Sequence, residues 1–581
     1  MRTIRFMIGV VVSVWVIAAV SCTKAYEPVP LGQQISLDLV FDPADSLGKN
    51  AMRYLGTLYQ QALPDGHNRI GGNYLDAASD DAISSATGIP EVQRIATGAY
   101  TASQTNGDNV WNNYYAAIRN CTNFAVYINR VPLKETLPNG GSARAAYRSE
   151  ARFLRARLYF ELVKRYGGVP LLRDAIPQIT DEIQLPRNSF AECIDYIVEE
   201  CEDIKDSLRT QAMVGNGEYG RVTKGAAMAL KARALLYAAS PLFNGGNISS
   251  SPLTGYTDAD PARWKRAADA AKELMDLQAY SLMPSFISVF TTQAAPVGSN
   301  TEKIFWRQDG FNRNVEINNG PVGYVSAGGR GITSPTQNLV DAFPMKSGLS
   351  ISDPASDYDP VKPYDNRDPR LQHTILYNGH LWLNREVETF DGGADKPGGT
   401  VQQTKTGYYM RKFMGPFESV NTTPPVYNDV VHDWVYFRYA EVLLNFAEAT
   451  NEFSGPAAEV YDALIALRKR AGIEPGINNL YGLHQGMSKE EMRQAIRTER
   501  RIELAFEEHR FWDIRRWKIA EEVYNTAPLY GLNIQKASSG QIFYNLIPVL
   551  TTVFRSPQMY LYPIPFSEVN KNPKMQQNPG W

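Results

Sequence analysis

Apolar positions recur at helical spacing along much of the chain. In "NVWNNYYAAIRNCTNFAVYINRV" (Asn109 to Val131), Trp111, Tyr115, Ile118 and Ala125 follow at intervals of four, three and seven residues, the repeat of one helix face. "AYRSEARFLRARLYFELVKRYGGVP" (Ala146 to Pro170) sets Phe153, Ala156, Phe160 and Val163 on one stripe, then stops at Gly167-Gly168 with Pro170 beyond. "RVTKGAAMALKARALLYAASP" (Arg221 to Pro241) carries Ala226, Ala229, Leu230, Ala234 and Tyr237 in register, and its small residues let a neighbouring helix approach closely. "RWKRAADAAKELMDL" from Arg263 follows the same plan. Near the carboxyl end "VYFRYAEVLLNFAEATNE", "AAEVYDALIALRKRAG" and "TERRIELAFEEHRFWDIRRWK" (Thr498 to Lys518) predict further helices. Helices of this length predict tetratricopeptide-like hairpins, but their irregular spacing predicts units embedded in one fold rather than a strict array.

Between about Ala295 and Asn428 the periodicity lapses into stretches rich in Gly, Pro, Asn and Asp, such as "GYVSAGGRGITSP", "DPASDYDPVKPYDNRDP" and "FDGGADKPGG". Interleaved Tyr, Trp and Phe predict ordered loops rather than disorder, with short strands at "EKIFWR" and "GYYMRKF". The expected fold is mainly α: tetratricopeptide-like hairpins in a superhelix, a long loop-rich region with short strands in the C-terminal half, all in one compact unit.

The amino terminus changes the picture. Arg2 and Arg5 precede "FMIGVVVSVWVIAAV" (Phe6 to Val20), a charge-free run too short for a membrane span and suited to a secretory signal. "AVSC" then ends in Cys22 and resembles a lipobox, with Ala19 where leucine is commonest. This predicts a signal peptide over 1–21, Cys22 as a lipidated anchor to a membrane, and "YEPVPLGQQ" as a polar tether; the alternative is an ordinary signal with an incidental cysteine. The net charge of −2 over 581 residues supplies no basic excess for nucleic acid. Cys193 and Cys201 are eight residues apart on a helical pattern, roughly 12 Å along the axis, too far for a disulfide. No CxxC, HExxH or clustered His/Cys set accompanies them or Cys121, so no metal or cofactor is expected.

The segment from Thr498 to Lys518 concentrates the most chemistry. On one continuous helix Glu499, Ile502, Glu503, Phe506, Arg510 and Trp517 would share a broad stripe, with Leu504 and Phe511 opposite. Opposite charges three apart are few: Arg500 with Glu503, Glu507 with Arg510, Arg510 with Asp513, Asp513 with Arg516. Glu499, Glu503 and Glu507 follow four apart as like charges, so further partners must come from elsewhere. A catalytic reading pairs Glu503 with Glu507 or His509 as acid and base. Surrounding arginines would depress the carboxyl pKa values, the wrong direction for a general acid. A partly buried ion-pair network that braces the fold is the better reading.

"ERRIELAFEEHRFWDIRRW" resembles the hallmark segment of the SusD/RagB family of surface lipoproteins. "EARFLRARLYFELVKRYGGVPL", "GRVTKGAAMALKARALLYAASPLFNG", "SPTQNLVDAF", "NRDPRL", "KTGYYMRKF", "FRYAEVLLNFAEA", "YLYPIP" and "NPKMQQNPGW" are similar to the family's other pieces and keep its order. The resemblance covers nearly the whole mature chain, with an N-terminal helical region at 22–245 and a C-terminal region at 260–581. It implies an outer-membrane lipoprotein exposed at the cell surface, lid to a SusC-like TonB-dependent transporter. Such a protein passes oligosaccharides, or in some members peptides, toward the periplasm without cleaving them.

Sugars present apolar ring faces and a rim of hydroxyls, so their sites combine aromatic platforms with polar donors and acceptors. Two regions offer both: Asn73 to Asn113, with Tyr74, Asp80, Asp81, Tyr100, Asn106 and Asp108, and Trp306 to Arg330, with Phe311, Asn312, Asn314, Tyr324 and Arg330. Trp382 in "NGHLWLNREVE" is a further candidate platform. Trp111 and Trp306 have core patterns instead. "SAGGRG" lacks the Lys-Ser/Thr ending of a phosphate loop, and "DPASDYDP" lacks an EF-hand register, so a solvated turn is expected there rather than a calcium site. Competing readings are a secreted helical glycoside hydrolase, needing two carboxylates flanking a groove, and a protein scaffold that binds no small ligand.

Overall fold

Most of the principal helices bury a face against the one before them in the chain. The computed structural model describes residues 36–177, 184–215, 217–292 and 298–581; the signal segment, Cys22 and the tether lie outside the described residues. Helices α1 (Lys49–Ala62), α2 (Trp111–Tyr127), α3 (Ala143–Tyr166), α4 (Phe190–Lys205), α5 (Lys224–Ala239) and α6 (Ala262–Asp276) pack successively, and α1 also touches α3. The chain then leaves the array and rejoins it at α7 (Tyr439–Ser454), which lies against α6. Helices α8 (Ala458–Ala471) and α9 (Lys489–Glu503) cover the other side of α7. The fold is mainly helical with small antiparallel sheets, and one core runs from Val40 to Met575, with a second, smaller core under α7 to α9.

Local chemistry sets the helix ends. Ser142 caps α3 by accepting from the Ala145 amide, and the helix stops where Gly167 turns to φ 76°. Ser189 with Glu192, and Ser488 with Glu491, form reciprocal capping boxes at α4 and α9. Helix α3 is buried almost all round, so its Arg155, Arg157, Glu161 and Arg165 all require partners. Helix α5 is equally enclosed, and its small residues make that possible: a methyl at Gly225 would sit 2.2 Å from the Tyr280 hydroxyl. Cys121, Cys193 and Cys201 are free thiols in the core. Burial pushes the Cys121 and Cys193 thiols up to about 12.

The strands of three residues or more are β1 (Ala82–Ser84), β2 (Lys303–Arg307), β3 (Thr333–Pro335), β4 (Trp434–Arg438), β5 (Leu529–Lys536) and β6 (Ile542–Leu550). Antiparallel pairing of β2 with β4, with Trp434 opposite Arg307, returns the chain to the helical array. "VYFR", expected as the first turn of a helix, is therefore the end of β4, and α7 begins at Tyr439. "GYYMRKF" is strand only at Tyr409–Met410. The β5–β6 hairpin closes through the Ala537 amide on the Gln541 carbonyl, and no sequence expectation covered it.

The expected continuous helix over 498–518 does not form. Helix α9 ends at Glu503, Phe506 and Glu508 both adopt φ 61°, and α10 (His509–Arg516) starts afresh. Distant side chains take up the backbone groups that this break frees. The Asp76 carboxylate accepts from the Phe506 amide at 3.0 Å and the Glu508 amide at 3.2 Å. The Lys412 ammonium donates to the carbonyls of Glu503 (3.1 Å) and Ala505 (2.7 Å).

Candidate functional site

The densest charge cluster is closed to solvent. Glu503 is fully buried; one oxygen accepts from Arg438 (2.7 Å) and Arg470, and the other from Arg370 (2.9 Å). Arg370 also holds Asp368 (2.7 Å) and Glu499 (2.6 Å), while Arg438 reaches Glu302 (2.8 Å) and Glu507 (2.7 Å). Burial alone would raise the Glu503 carboxyl, but the guanidiniums of Arg470, Arg438 and Arg370 hold it well below the usual carboxylate range. His509 is pushed well below the usual imidazole value, by burial first and then by Arg500 and other cations. Of the local pairs expected on the helix, Asp513–Arg516 forms at 2.7 Å. Arg500 instead pairs with Asp513 (2.7 Å) and Arg510 with Asp80 (2.8 Å), because the break between α9 and α10 re-aims them. A buried Glu503 carboxylate held ionised by three arginines is placed to brace rather than to act as a general acid.

The two loop regions singled out in the sequence lie side by side. Strand β1 pairs antiparallel with β3, Ala82 opposite Pro335 and Ser84 opposite Thr333. The seam extends through the Ser85 amide on the Ile332 carbonyl (2.8 Å) and the Thr336 amide on the Asp81 carbonyl (2.9 Å). Asn319 donates to the Asn68 side chain (2.8 Å), and Gln402 to the Ser85 hydroxyl (3.1 Å). Segments 68–72, 84–89, 311–330 and 402–405 thus form one loop face. Gly331 lets it close: a methyl there would lie 2.2 Å from the Tyr409 ring.

Within this arrangement most candidate residues face inward, which corrects the sequence reading. Tyr74 has no exposed surface; its ring stacks on Phe413 (5.7 Å) and its hydroxyl meets His67 Nδ1 at 2.8 Å. Tyr100 is buried against Trp581 and Tyr562. The Tyr324 hydroxyl donates to the Trp382 carbonyl (2.7 Å) while the Arg385 guanidinium covers its ring at 3.7 Å. Trp382 is completely enclosed, its Nε1 donating to the Tyr427 hydroxyl (3.0 Å). None of the four presents a ring face that a sugar could stack on. Asp80 and Asp81 are ion-pair partners of Arg501 and Arg510. The side chain of Asn106 accepts from the Asp108 amide, and Asp108 itself is held to about 2, against its burial, by Arg165 and Arg69. Trp111 and Trp306 are buried, as their patterns predict.

Phe311, Asn312 and Arg330 remain at the surface. Phe311 is 67% exposed on a short strand paired to Val430–Val431. Asn312 Nδ2 donates to Asp309 (3.0 Å) and the Gly310 carbonyl (2.8 Å), which fixes the turn that carries Phe311. The short helix Asn314–Asn319 follows, its Ile317 carbonyl accepting from the Arg330 amide (2.8 Å), so exposed Asn314 and Arg330 flank one helix. Asn318 and Gln402 add polar side chains that sequence reasoning missed. Gln402 is remote in the chain and is placed by donating to the Ser85 hydroxyl (3.1 Å) and the Arg330 carbonyl (3.4 Å). The carboxylates of "DPASDYDP" cap turns: Asp353 accepts from the Ala355 amide and Asp359 from the Val361 amide. Among the described residues no group of three or more His, Cys, Asp or Glu side chains is placed to hold a metal ion.

Comparison with known proteins gives two family matches. Residues 288–581 match the model described as "SusD family", and residues 53–236 match that described as "Starch-binding associating with outer membrane". "SusD-like protein P38" of Formosa agariphila is 23% identical over 511 residues, 86% of this chain and 85% of that one. "SusD-like protein P2" of the same organism is 35% identical over 150 residues, a match that spans only 26% of its length and 26% of this chain. A crystal structure of a SusD-like protein from Bacteroides fragilis superposes with a TM-score of 0.75 at 27% identity, covering 94% of this chain and 100% of that one. A SusD-like carbohydrate-binding protein from the same organism gives 0.71 at 26% identity, covering 91% and 99%.

Proposed function

The chain belongs to the SusD family, and from that premise we propose that it is a cell-surface lipoprotein that binds a glycan on its loop face. It is anchored in the outer membrane through lipidated Cys22, caps a SusC-like TonB-dependent transporter and hands oligosaccharide on for import. Among the described residues no helix is long and apolar enough to cross a membrane, so in this reading the lipid holds the protein at the surface. The observation that carries the reading is the β1–β3 seam, which joins two polar, glycine-rich regions, one of which carries the exposed Phe311. A related protein described as carbohydrate-binding, with this fold at 26% identity, supports the choice of ligand class.

The binding surface works by positioning alone. Phe311 offers a ring face to a sugar's apolar face, and Asn314 and Asn318 on the short helix that follows, with Arg330 bonded to that helix, offer hydrogen-bonding groups for the hydroxyl rim. The test is a binding screen of the mature protein against neutral oligosaccharides and peptides, followed by Phe311→Ala. A glycan should bind, and the variant should lose about tenfold in affinity, the equivalent of roughly 1.4 kcal/mol. Peptide binding alone would move the chain to the peptide-binding side of the family. Release of reducing ends would return it to the hydrolases, and co-purification with the transporter without any ligand would leave it a scaffold.

A further inference from the structure

The segments of the loop face, 68–72, 84–89, 311–330 and 402–405, hold five charged residues, and four of them are basic: Arg69, Arg313, Arg330 and Lys405, against Glu316. The chain as a whole carries −2, so this excess is local to the face. Two of the cations are neutralised by carboxylates from other segments. Arg69 pairs with Glu508 at 2.9 Å and Asp108 at 2.5 Å, and Arg313 with Asp429 at 2.8 Å. The acid is turned inward. Glu316 is fully buried, where its Oε1 meets His432 Nε2 at 3.0 Å and accepts from the Gly415 amide at 3.0 Å.

Arg330 and Lys405 are left over. Both are exposed, and neither makes an ion pair among the described residues. Lys405 Nζ donates to the Ala86 carbonyl at 3.1 Å, which lays its ammonium on segment 84–89. A neutral carbonyl does not balance that charge: burial lowers the ammonium from the usual lysine value, and no carboxylate raises it again. Arg330 is tied to the neighbouring residue. Its carbonyl accepts from Gln402 Nε2 at 3.4 Å, and the same nitrogen reaches the Ser85 hydroxyl at 3.1 Å. The anchors of the two cations are therefore Ser85 and Ala86, adjacent at the end of the β1–β3 seam. Through its amide Arg330 is also bonded to the short helix that carries Asn314 and Asn318. Positive charge that the protein leaves uncompensated on one face attracts a negative ligand and disfavours a positive one.

We propose that the glycan taken by the loop face is an acidic one, its carboxylate or sulfate groups met by Lys405 and Arg330; the inference rests on the reading of that face as the glycan site. The probes are tetramers of glucose, galactose and mannose, each unmodified, oxidised at C6 to the uronate, or sulfated. Calorimetric titration of the mature chain should find, for the backbone that binds, an acidic form about fivefold or more tighter than the unmodified one. Whichever form shows the gain separates carboxylate from sulfate. Lys405→Gln and Arg330→Gln should each cut that ratio about two- to threefold, the size of one exposed charge pair. Raising sodium chloride to about 0.5 M should shrink it further. Each ratio is taken within one variant, so a general loss of folded protein does not move it. Equal binding of acidic and unmodified forms, or a ratio unmoved in both variants, overturns the acidic assignment and leaves the glycan reading standing. Binding of no form in this panel, with none in the neutral screen, overturns the glycan reading and the charge assignment with it.

Discussion

The ion-pair cluster around Glu503 and the loop face around Phe311 are both crowded with side chains able to do chemistry, and they use them in opposite ways. Around Glu503 nearly every charge meets its opposite inside the protein, and water is excluded. Around Phe311 the polar groups make local turns and leave donors and acceptors at the surface. The difference teaches that charge density does not by itself mark a site. What marks one is a group whose partner is not in the protein, as with the exposed ring of Phe311.

The strongest way to break this comparison is to remove a partner from the buried side. Glu503→Ala leaves Arg370, Arg438 and Arg470 facing one another in a dry interior, and about 3–5 kcal/mol of stability should be lost. Denaturant unfolding of the variant measures this. A variant that folds with parental stability while losing a hydrolytic activity would invert the assignment of that cluster from brace to catalyst. Trp382→Ala, close behind, removes a completely enclosed indole and its bond to Tyr427. It should cost about 3–5 kcal/mol through cavity formation, so any loss of ligand binding it shows would follow from unfolding.

Acid titration probes the buried ion pairs without mutation. Burial raises the Glu448 and Asp108 carboxyls, but arginines outweigh it and set both to about 2, against ordinary values of 4.5 and 3.8. With folded values below unfolded ones, the unfolded chain binds more protons in between. The stabilisation is therefore complete above about pH 5 and drains away as pH falls toward 2, on the order of 2–3 kcal/mol for each group. Melting temperatures should be flat from neutrality to about pH 5 and fall steeply below. A flat profile down to pH 3 would show that these pairs do not brace the fold.

Helix existence was legible because burying one face imposes a period on the sequence, and caps such as Ser488 with Glu491 are local. The break between α9 and α10 was not, since the carboxylate that accepts the Phe506 amide belongs to Asp76, 430 residues away. The candidate platforms failed for the same reason. Tyr74, Tyr100, Tyr324 and Trp382 sit among glycine and polar neighbours in sequence, but Phe413, Trp581, Arg385 and Tyr427 arrive from elsewhere to cover them. Glycine beside an aromatic signalled close packing here rather than an open loop. The two loop regions were recognisable by composition; their union across β1 and β3 is tertiary.

The smallest expected effect is the most discriminating. Phe311 is 67% exposed, so truncation to alanine removes little buried area and should change stability by no more than about 0.5 kcal/mol. Its strand partners Val430 and Val431 are held by backbone pairing and need no ring to stay in place. The same substitution in the buried quartet of Tyr74, Tyr100, Tyr324 and Trp382 must damage the fold before it can report on binding. Parental melting with weakened glycan affinity in Phe311→Ala would place the ring at the ligand. Parental melting with parental affinity would strip the loop face of its one exposed aromatic contact, and the search for the glycan would move to another surface of the same scaffold.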